Sequence, residues 1–290
     1  MSDSTAGPLR IVVAEDEAII RLDLIEMLRE AGHDVVGEAA DGRRAVDGAV
    51  RSCFASAGQL CISTERVLVH EGIYDRFVPA FVEKVKALRL GTALEYGYDM
   101  GSLVSQEQLE TVTQHVEDAV AKGATLLAGG KARPDLGPFV FEPTVLTDVS
   151  SAMLCRDEET FGPVVSIYRV SDDDAAVALA NDTEYGLNAS VWTKDTARGR
   201  RIAARIKAGT VNVNEAYAAT WASMGAPMGG MKDSGVGRRH GAEGILKYTE
   251  SQNVTVQHVM PIAPSMGLSD ERYAKVMTLG VRVMKAAGLS

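Results

Sequence analysis

Apolar and polar positions alternate along the chain in a way that predicts strands and helices in turn. The run Arg10-Ile11-Val12-Val13-Ala14 fits a buried strand, with Glu15-Asp16-Glu17 at its carboxyl end. Ile20, Leu24, Met27 and Leu28 then recur at helical spacing, with Arg21, Asp23, Glu26 and Arg29 on the opposite side and Gly32 as the stop. Val35-Val36-Gly37 reads as a second strand, and Asp41-Gly42 as the turn into a helix beginning near Arg43. Further on, Arg66–Val69, Thr125–Leu127, Val164–Val170, Ala189–Thr193 and Thr210–Asn214 read as strands. Amphipathic helices are expected from Tyr74 to about Leu88, over Glu107–Lys122 (ended by Gly123), and near Asp172–Asn181, Asp195–Lys207 and Ala242–Tyr248. A terminal helix is expected over Ser269–Ala287, with Ser269 as its N-cap. Gly129–Gly137, which contains Pro134, is a loop. Strands alternating with helices imply an α/β fold on a largely parallel sheet.

Composition narrows the class. The chain has 290 residues, 46% hydrophobic and 24% charged, enough for one large domain or two small ones. Its net charge of −9 argues against a nucleic-acid or anionic-membrane surface. No apolar run approaches the roughly 18 residues a membrane span needs. The opening MSDSTAGPLR lacks the basic and apolar regions of a secretory signal. Cys53, Cys61 and Cys155 have no metal or disulfide spacing, and the five histidines are scattered. A reduced, cytoplasmic protein is expected. The charge is uneven: residues 1–48 carry eleven acids and five bases, a net of −6, leaving −3 for the rest. That asymmetry suggests two pieces of different origin.

In a parallel α/β unit, ligands sit at the carboxyl ends of strands. There Glu15 and Asp16 are placed either to hold a Mg²⁺ or merely to begin a helix, where carboxylates suit the dipole. The wording RIVVAEDEAIIRLDLIEMLREAGHDVVGEAADGRRAV resembles the start of bacterial response-regulator receiver domains. That resemblance implies a partial flavodoxin-like β-α-β unit with Glu15 and Asp16 as the Mg²⁺-binding pair. The family's phosphoacceptor Asp should close the third strand. Positions 55–62, where it would fall, read Ala-Ser-Ala-Gly-Gln-Leu-Cys-Ile. Residues 1–47 are therefore expected to be a truncated receiver-like fragment with a vestigial acidic pair.

Cys61 lies in Phe54-Ala55-Ser56-Ala57-Gly58-Gln59-Leu60-Cys61, among small residues that leave a thiol approachable. Backbone N–H groups in such a turn suit a thiolate and a developing oxyanion. A buried structural cysteine is the alternative. FASAGQLCISTERVLVH resembles the active-site segment of the aldehyde dehydrogenase superfamily, and further blocks follow in order. These are Glu158-Glu159-Thr160-Phe161-Gly162-Pro163-Val164, the stretch Ala180–Ser190 containing Tyr185-Gly186-Leu187, Ala208–Asn214, and Gly229–Arg238. The wording is nearest to the succinate-semialdehyde dehydrogenase branch, including the tail SDERYAKVMTLGVRVMKA.

The resemblance implies a three-layer catalytic domain on a mostly parallel sheet, spanning residues 48–259 and followed by a helical tail at 260–290. It makes Cys61 the nucleophile that forms a thioester from a small aldehyde. It makes Glu159 and Phe161 the contacts of an NAD or NADP nicotinamide, against alternatives of a solvated loop acid and a core aromatic. It assigns Asn253–Val259 to an oligomerisation strand, so homo- or hetero-oligomers are the expected partners. The family's Rossmann cofactor domain, its ELGGK-like general-base motif and its oxyanion-hole asparagine find no match before Cys61. The chain is therefore expected to be inactive by itself, and poorly soluble or oligomeric through uncovered apolar surface. Gly235-Val236-Gly237-Arg238-Arg239-His240-Gly241 mimics a phosphate loop, but its spacing favours a turn before a helix.

Overall fold

A computed structural model describes residues 10–13, 34–38, 41–258, 263–264 and 267–288. The chain divides into two compact units, Met1–Lys247 and Tyr248–Ser290.

At the start of the first unit, β1 (Arg10–Val13) and β2 (Asp34–Glu38) pair in parallel, as the two apolar runs predict. Glu15, Asp16 and the helix expected over Ile20–Leu28 lie outside the described residues. The helix expected near Arg43 is α1 (Asp41–Phe54). It runs without a break across the expected boundary at residues 47 and 48. Val46, Ala49, Val50, Cys53 and Phe54 recur on one face at helical spacing, and all five are buried in the main core.

That core is built on a four-stranded sheet in the order β3 (Arg66–His70), β6 (Val164–Val170), β5 (Thr144–Thr147), β4 (Thr125–Ala128). Strand β6 is parallel to both neighbours, while β4 runs antiparallel to β5. The sheet is thus mixed where a largely parallel one was expected. The reason is local: β4 and β5 lie on either side of the 129–143 loop, which folds the chain straight back instead of crossing over a helix. Strand β6 begins with four buried residues in succession, as suits a central strand covered on both faces.

Helix α2 (Glu71–Lys86) starts at His70, whose ring accepts the Gly72 N–H at 3.0 Å. Helix α3 (Gln106–Ala121) is capped by the Ser105 hydroxyl and followed by Gly123 at φ +102°. Their apolar faces supply Val78, Phe81, Val85, Val112 and Val116 to the core, where the Phe81 ring lies between those of Phe54 and Phe77.

After the one-turn helix α4 (Leu154–Asp157) and β6 comes α5 (Asp173–Asn181), capped by Asp172. Strand β7 (Tyr185–Gly186) precedes β8 (Asn188–Val191), and α6 (Thr196–Ala203), capped by Asp195, leads to β9 (Thr210–Val213). Strands β8 and β9 form a separate parallel pair. The short elements α7 (Ala218–Ala222), β10 (Met231–Lys232) and α8 (Gly241–Leu246) complete the unit, and β10 pairs antiparallel with β7. Gly235 and Gly237 take φ of +117° and +79° in the turn that comes before α8.

In the second unit, α9 (Asp270–Ala286) starts where Ser269 was expected to cap it, with the Ser269 hydroxyl accepting the Arg272 N–H at 3.4 Å. Residues 253–258 form no strand, in contrast to the late strand expected there, and Val254 and Val256 are exposed; Val259 lies outside the described residues. Among the described residues no helix is long and apolar enough to cross a membrane.

Candidate active site

The last turn of α1 buries Cys53 at 2% exposure, and the chain then bends sharply. Ser56, Ala57 and Gly58 all take left-handed conformations, with φ of +55°, +55° and +72°. At Gly58 the requirement is also steric, since a Cβ there would lie 2.1 Å from the Gly162 carbonyl oxygen. The Gln59 side chain braces the bend: its Oε1 accepts the Val104 N–H at 2.8 Å, and its Nε2 donates to the carbonyls of Ser56 and Ser102 at 3.1 and 3.3 Å. Past the bend, the Thr64 N–H returns to the Ser52 carbonyl at 2.9 Å, Ile62 is buried and Cys61 is exposed. The Asn188 amide donates to the Ile62 carbonyl at 3.4 Å. It belongs to a polar cluster in which Asn212 Nδ2 donates to Asn188 Oδ1 at 3.0 Å and the Thr220 hydroxyl donates to Asn212 Oδ1 at 3.0 Å. This cluster fixes the peptide that follows the thiol against β8 and β9.

The three cysteines thus occupy unlike surroundings. Burial pushes the Cys53 thiol up to about 12, far from ionisation at neutral pH, and burial likewise raises Cys155. Cys61 alone among the three is exposed.

The second segment of the site runs from Glu158 to Pro163. Gly58 packs against Gly162, so the thiol bend and this segment touch. Glu65, at the entrance to β3, accepts the Thr160 N–H on Oε2 at 3.1 Å and the Phe161 N–H on Oε1 at 2.9 Å. From the other side, Gln108 Nε2 donates to the carbonyls of the same two residues at 2.8 and 3.0 Å. His115 is buried, with Nδ1 3.1 Å from the Thr160 hydroxyl and Nε2 3.6 Å from Glu158, and burial holds its pKa below the usual histidine value. Burial likewise pushes the Glu65 carboxyl up to about 7, against the lowering effect of its two N–H bonds and with a further rise from nearby Glu159.

Held in this way, Phe161 is half-buried at φ +48°, and Glu159 is exposed with its carboxyl raised by the surrounding protein. An exposed carboxylate that accepts on two oxygens suits the vicinal hydroxyls of a ribose, and a half-buried ring beside it suits an aromatic face. These two residues therefore fit the nicotinamide-ribose end of a dinucleotide. Glu65, Gln108 and His115 escaped sequence reasoning. Their partners are 95, 52 and 45 positions away, and no periodicity signals such a pairing. Further on, Lys232 Nζ donates to the carbonyls of Asn181 and Thr183 at 2.9 and 2.8 Å, and the Ser234 hydroxyl accepts the Gly186 N–H at 2.9 Å. These bonds join the 229–238 block to the 180–190 block.

The model of the aldehyde dehydrogenase family matches residues 31–254. A putative NADP⁺-dependent succinate-semialdehyde dehydrogenase of Mycobacterium ulcerans is 58% identical over 241 residues, which are 83% of this chain and 46% of that protein. A protein of the same description from Mycobacterium tuberculosis is 54% identical over 255 residues, 88% of this chain and 49% of the relative. The crystal structure of a betaine aldehyde dehydrogenase from Staphylococcus aureus, in complex with NAD⁺, superposes with a TM-score of 0.67 at 33% identity, covering 83% of this chain and 50% of that one. The chain belongs to the aldehyde dehydrogenase family. It spans about half the length of the curated relatives it matches.

Proposed function

We propose that this chain carries the thiol chemistry of an aldehyde oxidation, with Cys61 as the nucleophile and succinate semialdehyde as the aldehyde. The observation behind this reading is the exposure of Cys61, alone among the three cysteines, on a bend packed against the Glu158–Pro163 segment. The Cys61 sulfur attacks the aldehyde carbon and forms a carbon–sulfur bond. The carbonyl oxygen takes up the negative charge, and the Cys61 backbone N–H is available to it. A nicotinamide coenzyme, when bound, supplies the acceptor for the hydride lost from that carbon. Glu159 would hold its ribose and Phe161 would flank the ring. Water then cleaves the thioester, releasing the acid and restoring the thiol. The descriptions of the relatives favour NADP⁺, and the NAD⁺ bound in the structural neighbour keeps NAD⁺ as the alternative.

Acylation of the Cys61 sulfur is the step this reading assigns to the chain. The test is an assay of the purified chain with succinate semialdehyde and each coenzyme, alongside Cys61→Ala. One acyl group per chain from an activated ester, whose acyl transfer needs no hydride acceptor, absent in Cys61→Ala, with negligible coenzyme reduction from the aldehyde, is the expected result. Absence of acylation in the folded chain contradicts the thiol assignment, and sustained Cys61-dependent reduction contradicts the expected inactivity.

Residues 1–47 are read as a receiver-derived piece, which the parallel β1–β2 pair supports, while the aldehyde dehydrogenase model, starting at residue 31, overlaps its end. The exposed Val254 and Val256 support assembly with a second subunit through Asn253–Val259, a reading that co-purification tests.

A further inference from the structure

The Thr160–Phe161 backbone is held by side chains on all its polar groups. Both N–H groups go to the Glu65 carboxylate, both carbonyls to the Gln108 amide, and the Thr160 hydroxyl to His115. Phe161 sits in the left-handed region at φ +48°, a conformation that bulky L residues keep only where their surroundings over-determine it. Two successive N–H groups turned the same way by such a backbone form a concave donor pair, and an anion is its natural occupant. Here the anion comes from the protein itself. Glu65 follows Cys61 by four residues and precedes β3, whose hydrogen bonds to β6 hold it in the sheet. The carboxylate therefore joins the thiol segment to the segment bearing Glu159 and Phe161.

We propose that Glu65 is a positioning residue: through its paired bonds to the Thr160 and Phe161 N–H groups it sets the segment carrying Glu159 and Phe161 in register with the Cys61 bend. The proposal rests on the reading of Glu159 and Phe161 as nicotinamide contacts. It assigns their placement to a residue that touches neither coenzyme nor aldehyde. A glutamine at position 65 keeps the shape but offers one acceptor oxygen to two donors and turns an N–H₂ toward the other. The bond to the second amide is then lost, and the bond that remains is no longer charge-assisted.

Amide hydrogen exchange of the purified chain, without coenzyme, provides the test. In Glu65→Gln the Thr160 and Phe161 amides are expected to exchange roughly tenfold faster or more, the factor that a charge-assisted bond commonly carries. Exchange in β5 and β6 should hold. A purely structural role is separated by the pH profile: protection of the two amides should depend on pH as Glu65 titrates near 7 and stay flat in Glu65→Gln. Glu159 acts on Glu65 only through its charge, His115 is held below the ordinary histidine value, and the buried Cys53 and Cys155 thiols stay protonated. In a parallel arm, NAD⁺ and NADP⁺ titrations should show weaker binding in Glu65→Gln than in the parent, with Cys61 labelling by a disulfide reagent unchanged within about twofold. Unchanged exchange at the two amides, or faster exchange throughout the sheet, overturns the proposal. Coenzyme binding by the parent bears on the nicotinamide reading of Glu159 and Phe161, while the exchange result alone decides what Glu65 does.

Discussion

Cys53 and Cys61 are eight residues apart and have the same side chain, yet the fold buries one and exposes the other. Cys53 lies on the apolar face of α1, in the same buried core as Phe54 and Phe81, and its thiol is pushed up to about 12. Cys61 follows three left-handed residues, of which Gly58 packs against Gly162, and it is exposed. What separates an inert thiol from an accessible one is thus a short bend, held by Gln59 on one side and by the Gly58–Gly162 contact on the other. Reactivity is a property of that bend more than of the residue type.

The comparison can be broken from either end. The largest loss of stability is expected at the buried end, where Phe81→Ala removes a fully buried ring that packs against Phe54 and Phe77. It should cost about 3–5 kcal/mol. Thermal melting reads this as a fall of roughly 2–4 °C per kcal/mol, and the Cys53 thiol should then label at temperatures where the parent protects it. At the bend, Gly58→Ala forces a Cβ against the Gly162 carbonyl oxygen at φ +72°, and about 1–3 kcal/mol is expected. A change in the Cys61 labelling rate should accompany it.

A smaller effect is expected from pH. The Glu65 carboxyl is raised from 4.5 to about 7 in the folded chain, so between those values the native state keeps a proton that the unfolded chain has lost. Stability therefore falls as pH rises through that window and is level in this contribution above it. Glu65→Gln should flatten the slope, which denaturant titrations at several pH values measure. Smallest is Asp47→Ala, which removes an exposed ion pair between the middle of α1 and Lys84 near the end of α2; at most about 1 kcal/mol is expected.

The sequence carried the regular elements well wherever an amphipathic face met a capping residue. Helices α3, α5 and α9 begin at or within a residue of their expected starts because Ser105, Asp172 and Ser269 accept N–H groups as caps do. Strand β6 matches its expected bounds because Val164–Val170 is an apolar run too long to miss. Strand β5 went unseen: four residues between Pro143 and Asp148 are too short to show a period, and their pairing with β6 is a long-range property. The antiparallel turn of β4 depends on the path of the 129–143 loop, which no local pattern encodes.

At the site, Cys61, Glu159 and Phe161 are proposed through motif resemblance, and the structure joins their segments through Gly58, Gly162 and Glu65. The clamp formed by Glu65, Gln108 and His115 was not legible, since each reads locally as an ordinary polar residue on a helix or at a strand entrance. Its meaning lies in partners brought close only by the sheet.

The central claim is that the bend at residues 56–58 makes Cys61 the reactive thiol of this chain. Mass-spectrometric mapping of the native protein after brief exposure to a thiol electrophile tests it most directly. The account predicts modification at Cys61 first and in full, with Cys53 and Cys155 modified only after unfolding. An unmodified Cys61 in a chain that still melts cooperatively, or equal labelling of all three cysteines under native conditions, would contradict it.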